Sequence, residues 1–561
     1  MKPRNIYKFI LTTPLLAFIL LINGCYDNAW DNHTANNQLN GSSLTEAISS
    51  KAELSTFNSV LKKTGYDNVL KSDNSFTVFA PTNTAWAGVD TSDVEKLKDV
   101  VSNLIIYKSY FTDNKELYKT IKTVKDKNIY YDASSQTFNG AKIVTADIST
   151  KNGALHVTDK IAELKSNIWE FIASKTDNSQ CTYIKSLSKP ILDKNKSIQI
   201  GVTENGPIYD TVWVDNNNFL NKYQLNNEDS LYTYIIVENT GFNMLSGKYK
   251  KYFQMSTPAA TDSLTNFNVC QDFVFRGIVD ITTADTLINV DGVKVPIKGS
   301  VIKETYNSSN GRVYVIDQSN IKLKEKIKPI KIEGEAYYGS SNNNYVYTRN
   351  KVLASGKKDI ALACGETQST TLLRITTNKV DSAVSKSFYI NSNLVANAEN
   401  FAIAYTAKVN STDYDIYYVT NDDIADHYNS ANLDYQNLKL RQKLFISMPG
   451  APVLTYGTAN NARGVANNYL DNPITKTYKC FVGESKAGEY KLTKLTQWNC
   501  TESSTSPQIV TTPVVPTADV MTVPTSGRLN MWLCNTARTN AASKQGLLFL
   551  DYILLVPRIT E

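Results

Sequence analysis

The run Phe76-Thr-Val-Phe-Ala-Pro-Thr-Asn-Thr-Ala-Trp86 combines several local signals within a few residues. Its first five residues are apolar or β-forming, which predicts a strand buried on both faces. Pro81 lacks the N–H needed to continue a strand ladder, and the side-chain oxygens of Thr82 and Asn83 can cap a following helix. Trp86 falls in the first turn of that helix, where it can pack back onto the strand. The run therefore predicts a strand, a capped turn and a short helix fixed by an aromatic side chain.

A weaker copy of this pattern occurs later in the chain. Leu231-Tyr-Thr-Tyr-Ile-Ile-Val-Glu-Asn-Thr-Gly-Phe242 aligns with the first run at an offset of 156 residues. A second pair agrees, because Asn152-Gly-Ala-Leu-His-Val-Thr-Asp159 recurs as Asn310-Gly-Arg-Val-Tyr-Val-Ile-Asp317 at an offset of 158. Two pairs with nearly equal offsets predict that one module is present twice.

The second module carries additional residues before its strand. Ile172 aligns with Ile48 at an offset of 124, and the offset grows to 156 by the strand, so about 32 residues are inserted. The insertion includes Gly206-Pro-Ile-Tyr-Asp-Thr-Val-Trp213 and predicts a loop or hairpin. Such an addition either contacts a neighbouring domain or is simply tolerated.

The two repeated runs resemble the two signature boxes of fasciclin (FAS1) domains. The resemblance implies an α+β fold for two tandem FAS1 domains, at residues 42–166 and 167–325, and a role in binding or adhesion rather than catalysis. The second copy is divergent, since it has Ile236-Val237 in place of the Ala-Pro pair and Tyr314 in place of His156.

One further departure concerns Tyr107, which is followed by Lys108 where family members commonly have Tyr-His. That pair has been linked with integrin-type adhesion in animal members of the family. The difference makes a transfer of that function unsafe, and Tyr107 is predicted to serve packing.

The N-terminus resembles a bacterial lipoprotein signal peptide covering residues 1–24. Basic residues precede a short apolar segment, which ends in Ile22-Asn23-Gly24-Cys25 and is too short for a comfortable membrane span. The resemblance implies that Cys25 carries a lipid anchor and that residues 25–41 form a flexible tether. The alternative is an ordinary secretory signal or a membrane anchor.

Asp27 and Asp31 follow Cys25 and resemble, weakly, the export signal of surface lipoproteins in the Bacteroidota. This resemblance implies an outer-membrane protein that faces the cell exterior. The alternative is that these residues belong to a solvated linker.

Composition excludes several classes of function. The formal charge is +6, and it falls to +3 without the three basic residues of the signal segment, so nucleic acid is not an expected partner. The chain has only three histidines and neither a P-loop nor a G-x-G-x-x-G motif, which argues against a Ser-His-Asp triad, a His-ligated metal and nucleotide binding. His156, at an alternating strand position, is predicted to be structural. Cys480 and Cys500 either form a disulfide or remain buried thiols.

Residues 326–561 predict an all-β region, because short strands alternate with turns rich in Asn, Ser and Gly. Its first and last strands, Lys331-Ile-Glu-Gly-Glu-Ala-Tyr-Tyr338 and Phe549-Leu-Asp-Tyr-Ile-Leu-Leu-Val-Pro557, resemble those of galactose-binding-like jelly rolls. In that fold the two terminal strands lie side by side. The length allows either one elaborated sandwich or two.

Two candidate sites follow for this region. Glu333, Glu335 and Asp551 are the candidate ligands of a structural calcium ion, which favours carboxylate oxygens; the alternative is that they are outward residues on alternating strands. Trp498, in a polar stretch, is the candidate platform for stacking on a sugar ring; the alternative is simple packing.

The sequence thus predicts a non-catalytic, lipid-anchored surface protein, with membrane contact through Cys25. Its glycan-binding form would be an accessory of an outer-membrane uptake system that binds polysaccharide. The alternative is a protein-binding adhesin, or an envelope or matrix assembly factor, acting through the FAS1 pair. A second alternative is a polysaccharide hydrolase or esterase. Apart from the calcium ion, no cofactor is expected.

Overall fold

The computed structural model describes residues 41–72, 74–112, 118–132, 134–193, 195–204, 206–334, 346–352, 358–364, 370–376, 387–391, 402–420, 439–450, 478–486, 491–498, 518–535 and 548–561. The chain divides into two compact units. The first comprises residues 1–174, 223–233 and 306–313, and the second comprises residues 175–222, 234–305 and 314–561. The domain limits inferred from the sequence remain predictions.

The helices have the following bounds: α1 Leu44–Ser49, α2 Ser55–Thr64, α3 Tyr66–Val69, α4 Val94–Ser102, α5 Ile168–Ser174, α6 Ser179–Ser186, α7 Asn218–Tyr223, α8 Asn239–Lys250, α9 Pro258–Gln271 and α10 Leu323–Lys326, with 3-10 helices at Ala52–Leu54 and Asn83–Trp86. In the part of the chain that the structure describes, no helix is both long and apolar enough to cross a membrane.

The strands in the first half of the chain are β1 Phe76–Pro81, β2 Ile105–Ile106, β3 Tyr118–Lys122, β4 Asn128–Asp132, β5 Thr137–Phe138, β6 Ala141–Thr150, β7 Gly153–Thr158, β8 Ser188–Leu192, β9 Ile198–Thr203, β10 Gly206–Asp210, β11 Trp213–Asn217, β12 Tyr232–Val237, β13 Val274–Arg276, β14 Thr286–Ile288, β15 Lys294–Pro296, β16 Ile302–Ser308 and β17 Gly311–Ile316.

Those beyond residue 326 are β18 Ile330–Glu333, β19 Val346–Val352, β20 Lys358–Cys364, β21 Thr370–Thr376, β22 Ser387–Asn391, β23 Ala402–Val409, β24 Asp413–Thr420, β25 Lys439–Ser447, β26 Tyr478–Lys486, β27 Lys491–Lys494, β28 Thr496–Trp498, β29 Met521–Thr522, β30 Gly527–Asn535, β31 Leu548–Leu550 and β32 Tyr552–Arg558.

The first unit is built on a seven-stranded sheet in the order β2-β1-β7-β6-β5-β4-β3. β1 and β7 run parallel, with Phe76 opposite Gly153 and Pro81 opposite Thr158, and the other neighbours are antiparallel. Every residue of β1 and β7 is buried, as expected for strands covered on both faces. Pro81 is the last residue of β1, which agrees with its inability to continue the ladder.

A glycine and an asparagine fix the corner where β7 begins. Gly153 has a φ of +148°, and a Cβ on it would lie 1.9 Å from the carbonyl oxygen of Phe76. Only glycine therefore allows β1 and β7 to approach this closely. The side chain of Asn152 accepts a hydrogen bond from the backbone N–H of Leu44 at 2.9 Å and donates to the carbonyl of Leu70 at 2.7 Å.

The turn after β1 differs from its sequence-based description in one respect. Thr82 stands at the N-cap of the 3-10 helix, but its side chain makes no capping hydrogen bond. Asn83 instead binds near the start of α2, since its Oδ1 accepts from the N–H of Thr56 at 2.9 Å and its Nδ2 donates to the carbonyl of Ala52 at 2.9 Å. Trp86 is buried in the core of the first unit.

A further sheet has the order β13-β12-β17-β16, which corresponds strand for strand to β2-β1-β7-β6. A Cβ on Gly311, where φ is also +148°, would lie 1.8 Å from the carbonyl oxygen of Tyr232. The side chain of Asn310 accepts from the N–H of Ile168 at 2.8 Å and donates to the carbonyl of Leu225 at 2.8 Å. The glycine and asparagine of the first corner thus have counterparts with equivalent contacts.

The described residues beyond 326 form antiparallel sheets. One has the order β18-β32-β24-β27, with β29 paired to β24; the others have the orders β19-β20-β21-β22-β31 and β23-β30-β25-β26-β28. β18 pairs with β32, with Ile330 opposite Leu555, so the two terminal segments lie side by side. Buried side chains of the first and the last of these sheets, among them Tyr418 and Phe481, belong to one hydrophobic cluster.

Candidate interaction surface

The residues inserted before β12 form two antiparallel strand pairs. β8 pairs with β11, with Leu192 opposite Trp213, and β9 pairs with β10, with Val202 opposite Pro207. This arrangement agrees with the loop or hairpin predicted for the insertion. We call residues 188–217 the ribbon.

The ribbon exposes many large apolar side chains. Its exposed members are Ile191, Ile198, Ile200, Val202, Ile208, Val212 and Trp213. A single exposed apolar residue is ordinary on a protein surface. A group of seven in such a short segment is different, because contiguous apolar patches of several hundred Å² mark interaction surfaces. Among the described residues, the ribbon is therefore our candidate interaction surface.

The strand β9 carries the most exposed of these residues. Ile198, Ile200 and Val202 are 68%, 66% and 71% exposed. They alternate with Gln199 and Gly201 in the sequence, a pattern that predicts a strand with one buried face. In the structure the pairing with β10 shifts register between Ile208 and Tyr209, so Ile198, opposite Asp210, and Val202, opposite Pro207, lie on opposite faces. Both faces of β9 therefore expose an apolar side chain.

The strands β9 and β10 form a sheet of two strands. Within the described ranges, β9 has β10 on one side and no strand on the other. A strand edge of this kind presents backbone N–H and C=O groups that can pair with another strand. Exposed residues of opposite charge flank β9, Lys196 before it and Glu204 after it.

A pocket of about 560 Å³ opens at the base of the ribbon, and its volume is within the range of small-molecule sites. It is lined by groups from α6, α9 and the ribbon, including Tyr183, Lys189, Asn216, Asn218, Asp262 and Asn266. The hydroxyl of Tyr183 donates to the carbonyl of Ser263 at 2.6 Å, and burial raises the pKa of Tyr183 to about 12. The tyrosine is therefore neutral at physiological pH, and the polar groups of the pocket are amides, hydroxyls and the charged side chains of Lys189 and Asp262.

A buried ion pair lies outside the ribbon, in the second unit. The ammonium of Lys326 is 2.6 Å from Oδ1 of Asp272, and the side chains are 6% and 0% exposed. The hydroxyl of Tyr249 donates to Oδ2 of the same carboxylate at 2.7 Å. Burial raises the pKa of Asp272 and lowers the pKa of Lys326, since each charge is removed from water. The carboxylate is hydrogen-bonded on both oxygens, so the cluster ties α10 to the helices before it, a structural role.

His156 is buried and both of its ring nitrogens are occupied. Nε2 lies 2.9 Å from the carbonyl oxygen of Tyr110, and Nδ1 accepts from the N–H of Asp147 at 3.3 Å. Burial lowers the pKa of His156, so the ring is neutral at physiological pH. This geometry fits a structural histidine. The Tyr107 side chain is half exposed and its ring lies 5.5 Å from that of Phe76, so it packs in part against the end of β1.

The predicted calcium ligands are only partly within the structure. The carboxylate of Glu333 lies 2.8 Å from the ammonium of Lys331. Asp551 is buried directly beside β18, since its carbonyl accepts from the N–H of Gly334. Glu335 lies outside the described residues. In the ranges that the structure describes, no group of three or more His, Cys, Asp or Glu side chains is arranged to hold a metal ion.

The remaining predicted sites are described in part or not at all. The backbone of Trp498 ends β28, where it is opposite Cys480. Its side chain lies outside the description, as do the signal segment, Cys25, the tether and Cys500.

Comparison with known proteins identifies part of the first unit. Residues 52–163 match the family model of the fasciclin domain. This match falls within the first predicted FAS1 domain and includes β1, the Asn83 turn and β7. The mixed sheet with its helices is thus a FAS1 fold.

Two individual proteins share this similarity. Human periostin is 30% identical over 132 residues, which cover 21% of this chain and 16% of periostin. The match therefore spans less than a fifth of that relative. The solved structure of a FAS1 domain pair from the insect cell adhesion molecule Fasciclin I matches at 16% identity with a TM-score of 0.20, over 49% of this chain and 98% of that one.

Proposed function

We propose that this chain is a non-catalytic surface protein that adheres to other proteins, with the ribbon as its contact surface. The observation that carries the proposal is the exposure of Ile198, Ile200 and Val202 on β9. The FAS1 domain supports it, because Fasciclin I, which contains such domains, is a cell adhesion molecule. The ribbon adds a surface of the kind that protein contacts use, with apolar side chains at the centre and charges at the ends.

The proposal includes a second, divergent FAS1 domain at residues 167–325. The equivalent contacts of Gly153 and Gly311 support it. Asp159 and Asp317 also make equivalent contacts, which support the second domain. The carboxylate of Asp159 accepts from the N–H of Lys142, and that of Asp317 accepts from the N–H of Val301, each at 2.8 Å. The residues that differ between the copies leave these backbone contacts intact.

The proposal places the protein on the outer membrane, anchored by lipid at Cys25 and facing outward. The support is the resemblance of residues 1–25 to a lipoprotein signal. Labelling cells with a palmitate analogue tests it, since the chain should incorporate the label and the Cys25→Ser variant should not. Protease added to intact cells should then degrade the native chain; a protected chain would contradict the outward orientation.

The test of adhesion uses a full chain that carries Cys25→Ser, so that lipid does not mask weak contacts. Binding to a panel of purified extracellular matrix proteins is compared with that of the variant I198T/I200T/V202T, which keeps β-forming residues in β9. We expect binding to weaken at least about tenfold, since three apolar side chains leave the contact. Ile288→Thr, at an equally exposed residue outside the ribbon, is the control.

A second candidate function is glycan binding, as in an accessory of an outer-membrane uptake system. The pocket at the base of the ribbon favours it, because its amides and hydroxyls suit the hydroxyl groups of sugars. The galactose-binding-like region beyond residue 326 is the other candidate location, with Trp498 as its platform. Calorimetry with a polysaccharide panel should show binding that Asn266→Ala or Trp498→Ala removes, according to the location. Turnover of any polysaccharide or sugar ester would instead favour the hydrolase or esterase alternative.

A further inference from the structure

We infer that the side chains of Lys326 and Asp272 condense to an amide bond, which cross-links the second unit covalently. The inference goes beyond the proposed function and does not depend on it. Three observations lead to it: the short distance between the reacting groups, the burial of both, and the hydrogen bonds that orient them.

The reacting groups are already in contact. Nζ of Lys326 lies 2.6 Å from Oδ1 of Asp272, so the carboxyl carbon is one covalent bond beyond the atom that the nitrogen touches. A nucleophile held about 3–3.5 Å from its target, with its orbital aligned, reacts far faster than one that must first find it. The backbones are held as well, since Asp272 is the C-cap of α9 and Lys326 is the last residue of α10. The structure therefore provides the proximity that condensation needs.

Burial favours the uncharged forms of both side chains. The rings of Tyr249 and Phe253 lie 5.4 and 5.9 Å from Nζ of Lys326. Burial raises the pKa of Asp272 and lowers the pKa of Lys326, because each group loses the water that would solvate its charge. A carboxylic acid and a free amine are the forms that condense, since an ammonium has no lone pair and a carboxylate repels a nucleophile.

Hydrogen bonds orient the two groups for the reaction. The hydroxyl of Tyr249 donates to Oδ2 of Asp272 at 2.7 Å, where it stabilises the negative charge that forms when the nitrogen adds to the carboxyl carbon. Nζ of Lys326 donates to the carbonyl of Asn268 at 3.0 Å, which turns one N–H away from the carboxyl group. The side chain of Asn289 donates to the backbone carbonyl of Asp272 at 3.2 Å and so fixes the residue that is attacked.

The reaction balances without a further reagent. The lone pair of the Lys326 amine adds to the carboxyl carbon of protonated Asp272, and the electron pair of the C=O bond moves onto Oδ2, beside the hydroxyl of Tyr249. A proton passes from the nitrogen to Oδ1, which already carries the acid proton. The C–Oδ1 bond then breaks, the carbonyl re-forms at Oδ2 and one molecule of water leaves. Nothing is oxidised or reduced.

The surroundings also favour the product. In water, hydrolysis of an amide is favoured largely because the acid and the amine that result become ions. A buried site opposes that ionisation, since charges are costly away from water. Lys222 and Asp291 also act on the pair, but they bind each other at 3.1 Å, so burial has the larger effect. The amide removes two charges from the interior and keeps the hydrogen bond from Tyr249.

The bond would close a loop of 54 residues that contains β13 to β17. A covalent link of this kind limits the freedom of the unfolded chain and so stabilises the folded one. It also joins α10, the last helix before β18, to α9. A pull on the chain beyond residue 326 would then reach α9 through the amide without unfolding the loop.

The experiment is mass spectrometry of the full Cys25→Ser chain after denaturation and digestion with trypsin. An amide at Lys326 blocks cleavage there, and Pro329 blocks cleavage after Lys328. We expect one branched peptide in which residues 252–276 are joined to residues 325–331, lighter than the two separate peptides by one water molecule. The intact chain should be lighter than its sequence by the same amount.

Two variants separate the bond from the ion pair. Lys326→Arg is the matched control, because a guanidinium keeps the positive charge but does not form the amide. It should have its full mass and give no branched peptide, while circular dichroism checks its fold. Tyr249→Phe keeps the ring and removes the donor to Oδ2. After a short period of expression, its linked fraction should grow roughly a hundredfold more slowly, the usual effect of losing one such donor.

A free peptide 252–276 from the native chain, with cleavage after Lys326, would overturn the inference and leave the ion pair as the only link. A loss of water that persists in Lys326→Arg would also overturn it, since that water would come from another group, such as a succinimide. Equal rates in the native chain and in Tyr249→Phe would overturn the assigned chemistry. Binding to matrix proteins tests the proposed function separately from all three results.

Discussion

At the residue scale, the fold depends on a few positions where no substitute has the required shape or partner. Gly153 and Gly311 lie 158 residues apart in sequence. Each allows the neighbouring strand to approach more closely than a residue with a Cβ would. Both were visible in the sequence as part of the repeated runs. Their physical role was not, because a glycine in a strand is normally a weakness and only the neighbouring carbonyl explains its use.

We expect Gly153→Ala to lower the free energy of unfolding by roughly 3 kcal/mol or more, because the added Cβ collides with backbone that cannot move aside. Gly140→Ala is the matched control. Gly140 also has a positive φ, +82°, but a Cβ there meets nothing within 4 Å. It should cost about 1 kcal/mol from backbone strain alone. Equal effects in urea denaturation would show that conformation, not the strand contact, sets the requirement.

Lys326 is expected to be important because it neutralises Asp272 inside the protein. Lys326→Met should destabilise the chain by about 3–5 kcal/mol, since it leaves a buried carboxylate unpaired. Loss of the ammonium should also raise the pKa of Asp272 further above its ordinary value. The folded state then binds a proton more tightly than the unfolded state, so the variant should lose stability as pH rises from about 4 toward neutrality. Chemical denaturation at several pH values measures this, and K326M/D272N should recover part of the loss.

His156 should make the protein sensitive to mild acid. Burial holds its pKa below the ordinary value of 6.5, so the unfolded chain binds the proton more readily than the folded chain. The contribution of His156 to the free energy of unfolding is therefore complete above pH 6.5 and should fall as pH drops below it. The slope of this free energy against pH corresponds to at most one bound proton. Tyr314 occupies the equivalent place in the second sheet, where its hydroxyl donates to the carbonyl of Val279 at 3.1 Å. His156→Tyr should flatten the pH dependence between pH 5 and 7; an unchanged slope would assign it to other groups.

At the scale of elements, the turn after β1 shows how one side chain can organise a helix distant in sequence. The sequence correctly indicated a strand ending at Pro81, but the prediction that Thr82 and Asn83 cap the following helix was wrong. It could not show which helix is capped, because Asn83 reaches back 27 residues to the N–H of Thr56. Local patterns describe neighbours along the chain, whereas this contact depends on the packing of α2 on the sheet.

Asn83→Ala should lower the free energy of unfolding by about 1–2 kcal/mol, the usual effect of removing a helix cap. Thr82→Ala is the control, because Thr82 has the N-cap position without a side-chain capping bond. Its effect should stay below about 0.5 kcal/mol. If Thr82→Ala were the more damaging change in thermal and urea unfolding, the assignment of the cap to Asn83 would be wrong.

The ribbon is the element that sequence reasoning located but did not interpret. The difference between repeat offsets predicted an insertion that forms a loop or hairpin. Which of its apolar side chains are covered depends on what packs against them, and the local sequence does not show this. The same limit applies to Lys326 and Asp272, because nothing in the local sequence shows that two charged residues 54 positions apart form a buried pair.

At the scale of the whole molecule, the first unit includes segments from both repeats, and an acidic residue joins them. Glu228 accepts from the hydroxyl of Ser309 at 2.8 Å and from the N–H of Asn128 at 3.2 Å, and its carboxylate is 3.2 Å from the ammonium of Lys127. Its side chain is 9% exposed. The segments that enter and leave the second sheet are thereby fixed to the turn between β3 and β4.

We expect Glu228→Ala to destabilise the first unit by about 2–3 kcal/mol, since it leaves several buried or half-buried donors without an acceptor. Asp229→Ala is the control at the adjacent residue. Asp229 is 70% exposed and pairs with Lys122 at the surface, so its loss should cost less than about 1 kcal/mol. Hydrogen exchange should show faster opening of segments 223–233 and 306–313 in Glu228→Ala only.

The repeated strand order has a consequence for the nascent chain. Two sheets of the same order on one polypeptide invite exchange of equivalent strands, a common misassembly of repeated domains. Tyr234 of β12 stands where β1 has Val78, and its hydroxyl accepts from Gln180 at 2.7 Å. In the first unit an exchanged β12 would place Tyr234 where the smaller Val78 packs and would leave its hydroxyl without Gln180, so it would bury an unpartnered hydroxyl and overfill the core. The sequence differences between the two sheets therefore disfavour this exchange of strands during folding.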